Sequence, residues 1–269
     1  MSPNLLVSET KPAHVLRNRL LASAGTVLLV GTYLTLVITQ PVELAEGLGQ
    51  GVALATFAAY LVAAILLLAA VLPEIPVSTL TLIPVALALN ILLGQFVGSV
   101  LLPLYLDSIG TVLIGFLAGR RAGAATGVLS TLIWSLFAPT VLPFAAGAAL
   151  VGFLAGTAAR FGALRRVYLA PIAGALAGVV AGVISAPVAA FVYGGTAGVG
   201  TGAVVAAFRA MGDSLFSAVT KQALISDPGD KAIVFLIAAL LVYALPKRLS
   251  GSFEFVRRYR VLGRRTDNR

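Results

Sequence analysis

The chain has 269 residues, of which 59% are hydrophobic and only 11% are charged, and its mean hydropathy is +1.01. This composition excludes an ordinary soluble domain and predicts an all-α, polytopic transmembrane helix bundle. The sequence has no cysteine and one histidine, His14, in a polar N-terminal stretch, which excludes a disulfide framework and a Cys/His metal site. The basic residues behind the net charge of +9 lie between apolar segments, so membrane topology explains them better than nucleic-acid binding does.

Eight segments are apolar enough to be transmembrane helices. A bilayer core of about 30 Å requires about 20 apolar residues, and somewhat fewer where neighbouring helices shield the segment. The predicted spans are residues 20–39, 52–72, 80–97, 104–118, 122–136, 142–159, 168–192 and 232–245. The sequence therefore predicts about eight spans, of which the fourth, fifth and eighth are short.

The positions of Lys and Arg predict the orientation of these spans. With a cytoplasmic N-terminus most basic residues fall on the inside, as the positive-inside rule requires. They are Lys11, Arg17, Arg19, Arg120, Arg121, Arg160, Arg165, Arg166, Lys247, Arg248 and the arginines of residues 257–269. We therefore predict a multi-pass protein of the cell (plasma) membrane with both termini cytoplasmic and with the loop 42–50 outside.

The chain divides into three predicted regions. Pro73 and Pro76 favour an extended connection over a continued helix, and they place a boundary after the second span. Residues 1–76 then hold an N-terminal tail and two helices, residues 77–248 hold a six-helix membrane core that binds substrate, and residues 249–269 form a basic cytoplasmic tail.

Residues 201–225 are predicted to form one amphipathic helix between the last two spans. Its apolar face consists of Val204, Phe208, Met211, Leu215 and Val219, and its polar face of Arg209, Asp213, Ser217 and Lys221. The polar face either meets solvent at the outer interface or lines a substrate cavity. The sequence DPGDK at residues 227–231 then predicts a turn, with Asp230 capping the last helix.

Two series of glycines recur every four residues, the spacing that lets helix backbones approach closely. They are Gly115, Gly119, Gly123 and Gly127, and Gly174, Gly178 and Gly182. We predict that most of them are helix-packing positions.

Several polar or aromatic side chains near the predicted outer ends of spans are candidates for binding a ligand. The sequence PLYLDSIGT around Asp107 puts a carboxylate and three hydroxyl groups beside an apolar run, where Asp107 either contacts a ligand or caps a helix and organises a loop. The amides of Asn90 and Gln95 either bind a ligand or join helices, and Trp134 and Tyr193 either stack on a planar ligand or serve packing and the aromatic belt. The full candidate set is Asn90, Gln95, Tyr105, Asp107, Trp134, Tyr193, Arg209, Asp213 and Lys221.

A wider pattern is carried by Asn90, Gly94, residues 104–111, Gly119, residues 123–127 and residues 225–231. In these positions residues 80–248 resemble the substrate-binding membrane subunit, or S component, of energy-coupling factor (ECF) transporters. The resemblance implies a six-helix core to which the first two helices are an addition. It also implies a subunit that captures a vitamin-like small molecule and performs no chemistry on it, so the chain is predicted not to be an enzyme.

The same resemblance implies partners. An S component works with a membrane coupling subunit and two cytoplasmic ATPase subunits, so ATP is used by the partners and no cofactor is expected in this chain. Two other functions remain open: a membrane ligand-sensing module that acts through a separate partner, and an ion-coupled secondary carrier. A carrier normally has buried ionisable residues in mid-span and inverted repeats, and neither is evident in the sequence.

Overall fold

The protein is built from helices joined by short connections. Its structure, a computed structural model, describes residues 12–41, 51–75, 77–100, 102–195 and 198–263. All regular secondary structure within these ranges is helical, which confirms the predicted all-α class. The predicted outer loop 42–50 lies outside the described residues.

The helices of the described residues follow the predicted spans closely in the first half of the chain and less closely in the second. Two 3-10 helices, Leu72–Glu74 and Pro139–Phe144, lead into the third and sixth α-helices. The α-helices are α1 Pro12–Thr39, α2 Gly51–Val71, α3 Val77–Gly98, α4 Ile109–Ala118, α5 Arg120–Ser135, α6 Ala145–Arg160, α7 Leu169–Tyr193, α8 Val199–Ala210, α9 Leu215–Ala244, α10 Lys247–Ser250 and α11 Glu254–Arg258.

Within the described ranges, five helical stretches are long and apolar enough to cross a membrane: Val15–Thr39, Gly51–Val71, Leu80–Gly98, Pro139–Arg160 and Leu169–Val192. Their outward faces carry large exposed apolar side chains such as Val27, Leu92 and Leu176. Such a surface is unfavourable in water and suits lipid, so these helices indicate a membrane protein. The count of about eight spans stays a prediction, because α4 has only 10 residues, α5 has 16 and α9 carries charges at its centre.

The prediction of one amphipathic helix over residues 201–225 is wrong. α8 ends at Ala210, the backbone turns at Gly212, and α9 begins at Leu215. Gly212 has a φ of 97°, which glycine adopts without strain, and the Ser214 side chain accepts a hydrogen bond from the Ser217 amide at 3.2 Å, which caps α9. A glycine followed two residues later by a good N-cap therefore divides the segment into two helices.

The predicted turn at residues 227–231 is also wrong, because these residues lie in the middle of α9 and Asp230 caps nothing. Pro228 removes one helical hydrogen bond. Tight packing against α7 offsets that loss: Gly178 lies directly on the Asp227 carbonyl and the Pro228 Cα, with no room for a side chain between the helices. A second shift concerns the predicted span 104–118, whose helix begins only at Ile109.

Close glycine contacts hold the bundle together, as predicted. Gly123 of α5 lies on the Gly152 backbone of α6, and Gly174 of α7 lies on the Lys231 carbonyl of α9. Backbones that approach this closely gain dispersion contacts in a setting where lipid provides no hydrophobic drive between helices. The two N-terminal helices pack on this core, where the Tyr33 hydroxyl donates to the Ile184 carbonyl of α7 at 2.8 Å.

The segment after α9 folds back under the bundle. Phe253, Val256 and Val261 are buried in the same apolar cluster as Phe116 of α4. The described part of the predicted basic tail, up to residue 263, is therefore packed against the core.

Candidate functional site

A cavity of about 440 Å³ lies at one end of the helix bundle. Its walls come from the C-terminal ends of α3 and α5, the N-terminal ends of α4, α6 and α8, the second half of α7 and the first half of α9. The arginines at 120, 160 and 165 lie near the opposite ends of α5, α6 and α7. The size is typical of sites for small organic molecules, roughly 300–1,000 Å³.

The polar side of this cavity is formed by α9 and by the loop before α4, residues 102–108. The Asp230 carboxylate on α9 accepts hydrogen bonds through Oδ1 from the amides of Tyr105 and Leu106, at 2.9 and 2.8 Å. Its Oδ2 accepts from Lys231 Nζ at 2.5 Å, and Lys231 also donates to Asp107 Oδ1 at 3.2 Å. Leu106 has a φ of 51°, an unfavourable value for a non-glycine residue, and these bonds hold it there.

Two carboxylates, those of Asp230 and Asp107, therefore contact a single ammonium group, that of Lys231, among the described residues of this region. Asp227 precedes Lys231 by four residues, so both lie on the same face of α9 and both line the cavity. The Asp227 Oδ2 atom has one distant neighbour, the Ser185 hydroxyl at 3.5 Å. Because the sequence interpretation placed these residues in a turn, it included neither Asp227 nor Lys231 among the candidate site residues. The sequence did contain one indication of a helix here, namely the four-residue spacing of Asp227 and Lys231 just before an apolar run.

Two buried polar atoms in the cavity wall have no hydrogen-bond partner among the described protein atoms. They are the Ser108 hydroxyl and the Gln222 Nε2, and the two residues are 5% and 2% exposed. Leaving such a group unsatisfied costs about 1–3 kcal/mol. Both atoms are thus available to a polar molecule in the cavity.

Aromatic side chains also line the cavity. Trp134 Nε1 donates to Gln95 Oε1 at 3.1 Å, and the Trp134 ring fills the space beside Gly94, where any side chain would collide with it. The Tyr105 hydroxyl is 2.8 Å from the Thr201 hydroxyl, which joins the loop to α8. The cavity therefore combines a charged side, on α9, with flat apolar surfaces.

Four of the sequence-predicted residues meet at this cavity: Gln95, Tyr105, Asp107 and Trp134. Asp107 does not cap α4, because the cap position is Ser108 and no side-chain bond is made there. Its carboxylate pairs with Lys231 and keeps 33% of its side chain exposed. It both organises the loop and faces the cavity.

Asn90 is placed differently. It is fully buried between α3, α4 and α5, where Oδ1 accepts from the Gly110 amide at 2.7 Å and Nδ2 donates to the hydroxyls of Thr111 and Ser130 at 2.8 and 3.2 Å. Its amide is used within the protein and does not line the cavity. Interhelical bonding is therefore the interpretation that this geometry favours.

The polar residues of the predicted amphipathic helix lie away from the cavity. Lys221 Nζ binds both oxygens of Asp213 at 2.7 and 2.8 Å, and Arg209 Nη1 donates to the Asp213 carbonyl at 2.8 Å. The Lys221 hydrogen bond lowers the pKa of the Asp213 carboxyl. This geometry favours the solvated-face interpretation. Tyr193 is the last residue of α7, and its side chain lies outside the described part of the structure.

No protein-family model matches the chain, and no curated protein or solved structure matches it either. Within the described ranges no three His, Asp or Glu side chains are grouped so that they could hold a metal ion. The functional argument therefore depends on the cavity itself.

Proposed function

We propose that this chain is the substrate-capture subunit, the S component, of an ATP-driven energy-coupling factor importer for a vitamin-like small molecule. The observation that carries the proposal is the cavity, whose lining residues all lie between positions 94 and 231. Neither α1 nor α2 contributes to it, as expected if a six-helix core binds the substrate and the first two helices are an addition.

Most of the residues behind the resemblance to S components lie at or next to this cavity, whereas Gly119 lies at the opposite end of α5. Asn90 braces the start of α4, Gly94 makes room for the Trp134 ring, and the loop before α4 is tied to Asp230. The glycine-rich segment 123–127 holds α5 against α6. These parts are far apart in the chain and serve one cavity, which supports a shared binding role.

In the proposed orientation the cavity faces outward and the arginine-rich helix ends face the cytoplasm, with both termini inside. About eight segments then cross the membrane, namely α1 to α7 and α9, while α8 lies at the outer side. The chain binds substrate without chemistry. A membrane coupling subunit and two cytoplasmic ATPase subunits supply the energy that reorients the loaded protein.

A cavity-filling variant tests the binding role. Gly147 lines the cavity and has no atom within 4 Å of the position that a Cβ would take, so the side chain of Gly147→Leu has an open start from which to occupy the cavity. Gly229 has equally open surroundings on the exposed side of α9 and provides the matched control, Gly229→Leu. We expect the small molecule that co-purifies with the wild type, identified by mass spectrometry, to be absent from Gly147→Leu and present in Gly229→Leu.

Uptake of that molecule then tests the energy source. In cells that express the chain, uptake should stop when the ATPase subunits are inactivated and should persist when an ionophore collapses the ion gradients. Retention of the molecule by a folded Gly147→Leu protein would contradict the location of the site, and uptake without the ATPases would contradict the importer.

One observation favours a second candidate, an ion-coupled secondary carrier. Asp227, Asp230 and Lys231 are buried in the middle of α9, whereas the sequence interpretation found no buried mid-span charges. Buried ionisable groups in membrane helices commonly mark proton or ion pathways. For a carrier the ionophore, and not loss of the ATPases, would abolish uptake.

A further inference from the structure

We infer that the molecule bound in this cavity carries a positive charge, such as an amine, an amidine or a cationic heterocycle, on an apolar or aromatic body. The inference rests on the proposed function for the cavity's role as the substrate site and adds the chemical class of the substrate. It follows from the balance of charged groups around the cavity and from which of their atoms are already occupied.

The ammonium group of Lys231 is not available to bind an anion. It lies between Asp230 Oδ2 at 2.5 Å and Asp107 Oδ1 at 3.2 Å, and the residue is 7% exposed. Both oxygens of Asp230 are occupied, because its other oxygen accepts two backbone amides. The Lys231–Asp230 pair is therefore internally neutral, and an anionic ligand would have to displace a partner from it.

Two carboxylates remain with open acceptor positions on the cavity. The Asp107 Oδ2 atom makes no hydrogen bond to the described residues, and Asp227 has only the 3.5 Å contact with Ser185. Of the residues that the structure describes, no other Lys or Arg lines the cavity. A carboxylate in such a site requires a cation or a proton as its partner, and a cationic ligand supplies one.

The remaining groups specify an organic cation and not a metal ion. No three ligating carboxylate or imidazole groups come together in the described residues, whereas Trp134, Tyr105 and Phe144 offer flat surfaces over which an organic cation is stabilised. Gln222 Nε2 has a free donor in the wall, which fits an acceptor atom on the same molecule. The inferred ligand thus has a cation, an apolar ring and at least one acceptor.

Three probes of similar shape, benzamidinium, benzamide and benzoate, distinguish the effect of ligand charge on affinity from the effect of ligand shape. Each is titrated into the purified full chain in detergent, with the fluorescence of Trp134, the only tryptophan, as the signal. We expect benzamidinium to bind at least about tenfold more tightly than benzamide, since a hydrogen bond to a charged partner is worth more than a neutral one, and benzoate to bind most weakly. Benzoate binding as tightly as benzamidinium, or no preference for the cation, overturns the inference.

Matched variants test which carboxylates cause the preference for benzamidinium over benzamide. Asp227→Asn and Asp107→Asn should each reduce the benzamidinium-to-benzamide affinity ratio by about tenfold while benzamide affinity changes little. Asp213→Asn, which removes a carboxylate outside the cavity, should leave the ratio unchanged. If Asp227→Asn does not fold, the wild-type series and Asp107→Asn decide. An unchanged ratio in folded variants of both cavity carboxylates also overturns the inference.

This test and the test of the importer fail separately. If the site prefers benzoate and uptake still requires the ATPases, the inference of a cationic ligand is wrong but the proposal of an importer stands. If the site prefers benzamidinium and uptake needs an ion gradient but no ATPase, the proposal of an importer is wrong but the inference of a cationic ligand stands.

Discussion

Replacing Asp230 by alanine should damage the fold more than any other single change at the cavity. The side chain is 1% exposed and serves three donors at once: the amides of Tyr105 and Leu106 and the ammonium of Lys231. The variant leaves two loop amides and a buried ammonium without their nearest acceptor. The loop is then free to leave the strained conformation at Leu106.

The expected loss can be worked out from these contacts. Removing one partner of a buried ion pair typically costs about 3–5 kcal/mol, and each hydrogen bond to a charged group contributes about 1.5–3 kcal/mol. These contributions overlap because one carboxylate makes all of them, so we expect a loss of about 3–5 kcal/mol for Asp230→Ala. Asp230→Asn keeps an acceptor for the two amides and should lose about 2 kcal/mol. Asp107→Ala, whose pair with Lys231 is longer and partly exposed, should lose about 1 kcal/mol or less.

Unfolding in mixed detergent micelles, followed by Trp134 fluorescence, measures these differences. The tryptophan contacts the region of Gly94 and Asp107 and therefore reports on the loop directly. The reasoning is refuted if Asp230→Ala is no less stable than Asp107→Ala. In that case the loop is held by something other than the Asp230 carboxylate.

Three further predictions address packing, the N-terminal helices and orientation. Gly178→Val should prevent folding or strongly destabilise the protein, because the valine side chain would collide with the α9 backbone at Asp227. Gly229→Ala should be neutral or should stabilise the protein by about 0.5–1 kcal/mol. Thermal unfolding of the two variants measures this difference. Deleting residues 1–76 should lower thermal stability but leave ligand affinity near that of the full chain, as measured by the same fluorescence titration, because no cavity residue is removed. A single cysteine at position 165, in this cysteine-free chain, should react with an impermeant thiol reagent only after the cells are opened.

Each of these has a result that contradicts it. A Gly178→Val protein as stable as Gly229→Ala would mean that α7 and α9 are not in backbone contact. Complete loss of affinity in a well-folded truncation would show that α1 and α2 shape the site indirectly. Labelling at position 165 in intact cells would reverse the proposed orientation and put the cavity on the cytoplasmic side.

The long apolar helices could be predicted because their signal is local. α1, α2, α3 and α7 are apolar on all faces over a length that fits a bilayer, so hydropathy alone locates them to within a few residues except at the polar start of α1. The glycine spacing similarly predicted which faces pack, since a four-residue repeat is a property of one helix. Neither inference required knowledge of the partner helix.

The centre of α9 could not be predicted in the same way. The sequence DPGDK at residues 227–231 has the composition of a turn. The glycines of α7 pack directly against its backbone, and this packing favours a continuous helix over a turn there. Tertiary contacts of this kind override local propensity, and one sequence gives no information about them. The same limit hid the partnership between Asp230 and the loop before α4.

The candidate site was predicted in part. Gln95, Tyr105, Asp107 and Trp134 were found because a polar or aromatic group in an apolar run needs a partner, and the cavity brings them together. Asn90 gives the same sequence signal, but its partners are Gly110, Thr111 and Ser130 inside the protein. A ligand-facing side chain differs from an interhelical one in which face of its helix it occupies relative to the cavity. That face depends on how the neighbouring helices are arranged.

The link between the loop and α9 also fixes the order in which the site can be completed during synthesis. The Tyr105 and Leu106 amides precede Asp230 by 125 and 124 residues, so the ribosome releases the loop long before its acceptor exists. Gln222, Asp227 and Lys231 arrive with the same late helix. A nascent chain that stops before residue 215 therefore lacks one wall of this cavity. If the cavity binds the proposed substrate, that substrate cannot guide the insertion of the earlier helices; it stabilises only the finished protein, by mass action on its folded state.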